Sequence, residues 1–191
     1  LPAISLDALR GYFKRGEAAM WQRLALCKAR AISGSPAAQA RVNTLVVELL
    51  SATEWYPSMA KQIHELRLSM EQSATDDNLK RAAGGTVDVE LVTQALQLRH
   101  ASKRPDMLVP GTTEALQRLS DASLIDPLLA ASMIANYRTL REVESKLCLL
   151  VTPRRHEIPE DPRLLELLAF LMDEPSGAEI MARCRDCRSS N

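Results

Sequence analysis

The sequence predicts an all-α fold, a bundle of about seven to eight helices with one long central helix. Apolar side chains recur at three- and four-residue spacing along most of the chain, as they do on the buried faces of amphipathic helices. Several stretches open with a capping residue followed by proline, most clearly Ser35-Pro36, Asp126-Pro127 and Asp161-Pro162. At 191 residues and 46% apolar composition, the chain can fill one good core or two small helical subdomains.

The first helix is predicted from Ser5 to about Ala31, with Leu6, Leu9, Phe13, Met20 and Leu24 sharing a broad face. Two more follow, about Pro36 to Ser51 and Glu54 to Ser73, before Thr75, Asp76, Asp77 and Asn78 break the pattern. Gly84-Gly85 closes this stretch, and its two glycines suit a tight connection fitted closely against another helix. Next come a helix from about Val87 to Arg99, a loop around Pro105 and Pro110, and a short helix capped by Thr112 or Thr113. The longest element is expected from Pro127 to about Val151, its seam formed by Leu129, Met133, Leu140, Val143, Leu147 and Leu150. Helices near Pro162 to Met172 and Gly177 to Arg185 end the chain, which divides into a helical domain at 5–174 and a short C-terminal helix or tail at 175–191.

Twenty-four basic and 24 acidic side chains cancel, so no overall field draws the chain to nucleic acid or an anionic membrane. Uncharged runs such as Pro127 to Tyr137 fall short of the roughly 20 residues that a membrane helix needs. No secretory signal pattern opens the sequence, and its start at Leu1 reads as a piece of a longer, cytoplasmic protein. Cys27 and Cys148 sit within helical patterns without a disulfide framework. Cys184 and Cys187 have the spacing of half a zinc knuckle with no second pair, and read as two thiols in a frayed terminal helix. His64, His100 and His156 lack metal-ligand spacing, and no nucleophile with a partnered base is recognisable, so no catalytic residue and no metal ligand is assigned.

One stretch competes with the helical reading. Thr86 to Thr93 alternates apolar and polar residues as a half-buried strand would, and in a strand Asp88 and Glu90 would share a face as a Mg²⁺-holding pair does. As a helix, the same stretch sets Thr86, Glu90, Gln94 and Gln97 in a polar stripe and buries the rest. The helix is favoured, because no partner strands exist to complete a sheet.

Five short motifs stand in order. Gly84-Gly85-Thr86-Val87-Asp88-Val89-Glu90, continuing to Gln94 and Gln97-Leu98, resembles the Gly-Gly-Ile-Arg-Asp-Ile-Glu signature of glutamine synthetase adenylyltransferases. Trp21, Arg23, Ala25, Leu26, Lys28, Ala29 and Arg30 are similar to that family's Trp-Glu-Arg-x-Ala-Leu-x-Lys-Ala-Arg. Downstream, Thr113 to Leu116, Tyr137 to Leu147 and His156 to Pro159 match in order and spacing, so the resemblance spans about Gly11 to Met172.

The resemblance implies the helical domain that follows a nucleotidyltransferase core. Such enzymes transfer AMP from ATP to a tyrosine of glutamine synthetase, or remove it by phosphorolysis, from two similar halves of one chain. It implies ATP and magnesium for the full-length family but no cofactor for this chain. The preceding nucleotidyltransferase domain is the implied partner, together with glutamine synthetase and a PII-type signal protein; His156 to Pro159 leans toward the removing half. The motif positions expected to face nucleotide or the catalytic domain are Arg23, Lys28, Arg30, Lys80, Gly84, Gly85, Asp88, Glu90, Gln94, Arg141 and Glu144. Four positions depart from the family, with Gln22, Ala82, Val87 and Leu91 in place of Glu, Gly, Arg and Phe. A stand-alone helical interaction module derived from the same family is the alternative.

Several of these residues also have ordinary structural readings. Trp21 and Tyr137 are the kind of side chain that fills cores. Arg141 and Glu144, three apart on one helix, can pair with each other. On the continuous first helix, Arg23 and Arg30 would share a face and could grip phosphate or an interface carboxylate together.

Overall fold

The computed structural model describes residues 4–150 and 156–191. Among these residues there are nine α-helices, one 3-10 turn and no strand beyond an isolated antiparallel bridge between Asn78 and Glu157. The predicted end of the central helix at Val151 lies outside the described residues. The chain divides into two compact units, the first formed by 1–66 and 91–124, the second by 67–90 and 125–191.

In the first unit, α1 (Leu6–Lys14) and α2 (Met20–Cys27) both pack on α3 (Pro36–Ser51). Their core joins Phe13, Ala18, Leu45 and Leu49, with Leu6, Leu9, Tyr12 and Leu26 packed against it. The single long first helix of the sequence reading is not formed. Gly16 takes a φ of +75° after Arg15, which an L side chain resists, and this ends α1. A new helix starts beyond Ala19, whose N–H donates to Gln22 Oε1 at 2.8 Å; Tyr12 Oη donates to the same oxygen at 2.7 Å. Gln22 thus supplies, without a charge, an acceptor of the kind that a Glu would supply there.

The rest of this unit comprises most of α4 (Pro57–Glu71), α5 (Thr86–His100) from Leu91 onward, and α6 (Thr112–Asp121). Gly111 stands at the N-cap of α6, so Thr112 is already helical. Helix α5 settles the strand question, and it is buried as the helical reading required. Its polar stripe does not face solvent, since Thr86, Gln94 and Gln97 are buried with it. Gln97 explains one such residue: its Nε2 donates to the carbonyls of Met107 and Val109, at 2.8 and 2.9 Å, and thereby fastens the proline-flanked loop.

In the second unit, α8 (Pro162–Leu171) and α9 (Gly177–Ser189) pack on each other and on the 24-residue α7 (Pro127–Leu150). Leu140, Val143 and Leu147 of the predicted seam are fully buried here, alongside Leu79, Leu168 and Ile180. Leu129 leaves the seam and is 46% exposed. Helix α9 is not a frayed tail, because Cys184 and Cys187 are core residues and Ser176 Oγ accepts the Glu179 N–H at its start.

Candidate functional site

The Gly84-Gly85 segment is closed on itself. Gly84 has a φ of +72°, and a Cβ added there would lie 1.8 Å from the carbonyl oxygen of Arg188 in α9. A Cβ on Gly85 would lie 2.7 Å from the carbonyl oxygens of Leu79 and Lys80. Only glycine fits both places, as the sequence predicts for a connection seated against a neighbouring helix. Every amide from Gly84 to Asp88 already has an acceptor, in turn Asp88 Oδ2, Ala82 O, Leu79 O, Lys80 O and Gly85 O, at 2.8–3.0 Å. A phosphate cradle needs such amides unpaired and convergent, so this glycine pair does not form one.

Asp88 is the centre of the arrangement. Its carboxylate accepts the Gly84 N–H and also faces Arg67 of α4, which donates Nε and Nη2 to its two oxygens at 3.0 Å each. Upstream, Asn78 Oδ1 accepts the amides of Lys80 and Arg81. The backbones of Asp77 and Leu79 pair with those of Ile158 and His156, which brings the His156 to Pro159 motif beside the glycine segment. From α9, Arg188 donates to the carbonyls of Ala83 and Asp76, and Asn191 Nδ2 to that of Gly84.

A second group of motif residues lies on α5 and α7. Tyr137 Oη donates to Glu90 Oε1 at 2.8 Å. One turn on, Arg141 donates to Glu144 Oε2 at 2.7 Å, and His156 Nδ1 stands 3.0 Å from Glu144 Oε1 without hydrogen-bond alignment. The Glu144 side chain is 4% exposed, whereas that of Arg141 is half exposed. Burial works against the Arg141 charge; the carboxylate of Glu144, with Tyr137 and Glu90, more than offsets it and holds the guanidinium above its ordinary pKa. The pairing of Arg141 with Glu144 is thus real, and it is the means by which a buried carboxylate is neutralised.

The remaining motif positions belong to the first unit. Arg23 is an internal anchor, with Nη1 donating to Thr53 Oγ1 at 2.9 Å and the guanidinium 5.5 Å from the centroid of the Phe13 ring. Arg30 lies beyond the end of α2, so the two arginines do not share a helical face. Lys28 and Arg30 are exposed, and Gln94 is buried. Trp21 is no core residue, being 57% exposed on α2.

Asp88 and Glu90, two apart on a helix, point in different directions and are engaged with Arg67 and Tyr137, which is not the donor set of a Mg²⁺ site. Among the described residues no group of three or more His, Cys, Asp or Glu is placed to hold a metal ion. Burial pushes the thiols of Cys27 and Cys184 up to about 12, so neither has the character of a nucleophile. The contributions of Arg67 and Arg188 escape the sequence reading. Arg67 looks like an ordinary partner for Glu71 on the same helix, and no local pattern ties Arg188 to a loop more than 100 residues away.

A family model described as GlnD PII-uridylyltransferase matches residues 58–190, well over half of the chain. The chain belongs to that family. A bifunctional glutamine synthetase adenylyltransferase/adenylyl-removing enzyme of Bradyrhizobium sp. strain BTAi1 is 32% identical over 193 residues, covering 98% of this chain. An enzyme of the same description from Rhodopseudomonas palustris strain TIE-1 is 30% identical over 190 residues, and one from Nitrosomonas eutropha is 29% identical over 163. The chain spans about a fifth of the length of these relatives. The resemblance read from five short motifs is therefore an extended one. Among the described residues, no helix is long and apolar enough to cross a membrane.

Proposed function

We propose that this chain is the helical accessory domain of a cytoplasmic nucleotidyltransferase that modifies glutamine synthetase. The observation that carries the reading is the match of 98% of the chain to a single segment making up 19% of a bifunctional adenylyltransferase. The inward commitment of Gly84, Gly85, Asp88, Glu90 and Glu144 supports it: these motif positions shape and stiffen a helical body. Mg²⁺ and ATP then belong to the preceding nucleotidyltransferase domain, where carboxylates on a rigid scaffold would hold the metal that assists adenylyl transfer. Lys28 and Arg30, exposed after α2, are the motif cations best placed to meet that domain. Glutamine synthetase and a PII-type signal protein are the partners of the whole enzyme.

The test is an AMP-transfer assay on glutamine synthetase with labelled ATP and Mg²⁺, run in parallel with a phosphorolysis assay. The native full-length polypeptide is expected to carry out one or both, and the 191-residue chain neither. A native polypeptide that lacks, ahead of this segment, the Gly-Ser loop and Asp-x-Asp pair that the resemblance implies for a nucleotidyltransferase domain, and that has neither activity, would replace the reading with a stand-alone interaction module. Turnover by the 191-residue chain alone, abolished at Asp88 and Glu90, would overturn it outright.

A further inference from the structure

We infer that the outer face of α8 is a docking surface for another segment of the same longer polypeptide, an amphipathic segment with a basic border. This rests on the reading of the chain as one domain of a longer enzyme. Helix α8 is apolar on two sides. Leu168 and Ala169 face the core, while Leu167 and Phe170 point outward at 44% and 76% exposure, flanked by the half-buried Leu164 and Leu171. Leu164, Leu167 and Leu171 follow the i, i+3, i+7 spacing of one side of a helix, and Phe170 extends that side outward, with the exposed Arg163 four residues before Leu167 on the same face. A surface helix has no folding reason to carry a second apolar stripe, and a contiguous outward one marks an interaction site.

The border of the stripe indicates what covers it. Glu160 and Asp161 stand before its N-terminal end, Glu166, which also accepts the Gly177 N–H, beside it and Asp173 beyond its C-terminal end, all exposed, against Arg163 as the one Lys or Arg among the described residues from 156 to 173. An apolar stripe within an acidic border complements a segment that carries Leu- or Phe-type anchors flanked by Lys or Arg, the helix-in-groove mode of recognition. The relatives carry about four-fifths of their length outside the part that this chain matches. A segment tethered in that way is present at high effective concentration, so a patch of modest size is filled in cis without great intrinsic affinity.

The test is hydroxyl-radical footprinting of Phe170 in the native full-length polypeptide and in the 191-residue chain. The docking surface predicts that labelling of Phe170 and Leu167 drops several-fold in the full-length polypeptide and is independent of protein concentration. Replacing both with Glu should expose the covering segment to labelling, and raised salt should accelerate labelling of Phe170 in the wild type. Equal labelling of Phe170 in both proteins overturns the inference, as does protection that grows with concentration, which would assign the face to a second copy. The intact mass of the native polypeptide separates these failures from failure of the domain reading, since a native protein of only 191 residues would refute that reading and leave no segment to dock.

Discussion

The Asp88 carboxylate lies side-on to the Arg67 guanidinium, with Nε on one oxygen and Nη2 on the other at 3.0 Å, while the second oxygen also accepts the Gly84 amide at 2.8 Å. One side chain thus joins α4, the glycine turn and the first turn of α5. With the side chains 24% and 17% exposed, the pair is screened somewhat but remains charge-assisted and bidentate. Arg67→Ala is expected to lower the unfolding free energy by about 1–3 kcal/mol. Asp88→Ala should lower it further, because it also leaves the Gly84 N–H without an acceptor. Urea denaturation of both single variants and the double variant tests the coupling; strictly additive losses would show that the pair contributes nothing as a pair.

At the glycines themselves, backbone shape and space act together. Gly84→Ala would need a left-handed φ and would drive Cβ into the Arg188 carbonyl; Gly85→Val would press on the carbonyls of Leu79 and Lys80. Each is expected to cost about 3 kcal/mol or more, enough to unfold a marginal domain. Gly16→Ala, with the same sign of φ but nothing within 4 Å of its Cβ, should cost only the conformational part, about 1–2 kcal/mol. Thermal midpoints of the three variants rank the effects, and an equal shift at Gly16 and Gly84 would refute the close approach to α9.

Three of the four cysteines are buried, and Cys148 is exposed. Cys148 should be alkylated first in the native protein, with Cys27, Cys184 and Cys187 following only at the rate of unfolding. The same burial predicts alkaline sensitivity. Unfolded thiols lose protons near about pH 8.5, whereas burial raises Cys27 and Cys184 to about 12 in the fold. Between these values the folded state binds more protons than the unfolded one, so stability is whole below the lower value and declines as pH rises. The slope is up to about 1.4 kcal/mol per pH unit for each thiol. Denaturation at a series of alkaline pH values should show Cys27→Ala with the shallower decline; a slope identical to wild type would contradict it.

The split of the Arg23 to Arg30 motif gives a sharp contrast between its two arginines. Arg23 is held by Thr53 and the Phe13 ring, so Arg23→Ala should destabilise the fold by about 1–2 kcal/mol. Arg30→Ala, at an exposed position beyond α2, should leave the thermal midpoint unchanged. Any loss of AMP transfer in the full-length polypeptide on changing Arg30 would then report contact with the catalytic domain rather than unfolding.

Helices and most of their ends were legible because caps, prolines and apolar period are local signals; α3 runs from Pro36 to Ser51 as the sequence predicts. The split between α1 and α2 was not legible, since a single glycine in an apolar-periodic stretch is tolerated as often as it breaks a helix, and the deciding hydrogen bonds of Gln22 come from Tyr12 and Ala19. Motif residues were found by resemblance, but the direction each side chain takes is a tertiary property. Asp88 and Glu90 turn inward because Arg67 and Tyr137, distant in sequence, are there to receive them. Trp21 turns outward although its composition class suggested a core.

The pair Arg141 and Glu144 allows a prediction in which order matters. Removing Arg141 leaves a carboxylate that is 4% exposed and that, among the described residues, has only His156 close by, at 3.0 Å and poorly aligned, so the desolvated charge loses its main described partner. Removing the charge at Glu144 instead leaves a guanidinium that is half exposed and can turn to water at little cost. Arg141→Met is therefore expected to destabilise by about 2–4 kcal/mol, and Glu144→Gln by about 1 kcal/mol, because the amide keeps the shape and one acceptor. The double variant should recover part of the loss of Arg141→Met, since it removes the orphaned charge. Chemical denaturation of the three variants at one pH gives the order directly. A larger loss for Glu144→Gln than for Arg141→Met would mean that the carboxylate serves another partner more than it serves Arg141.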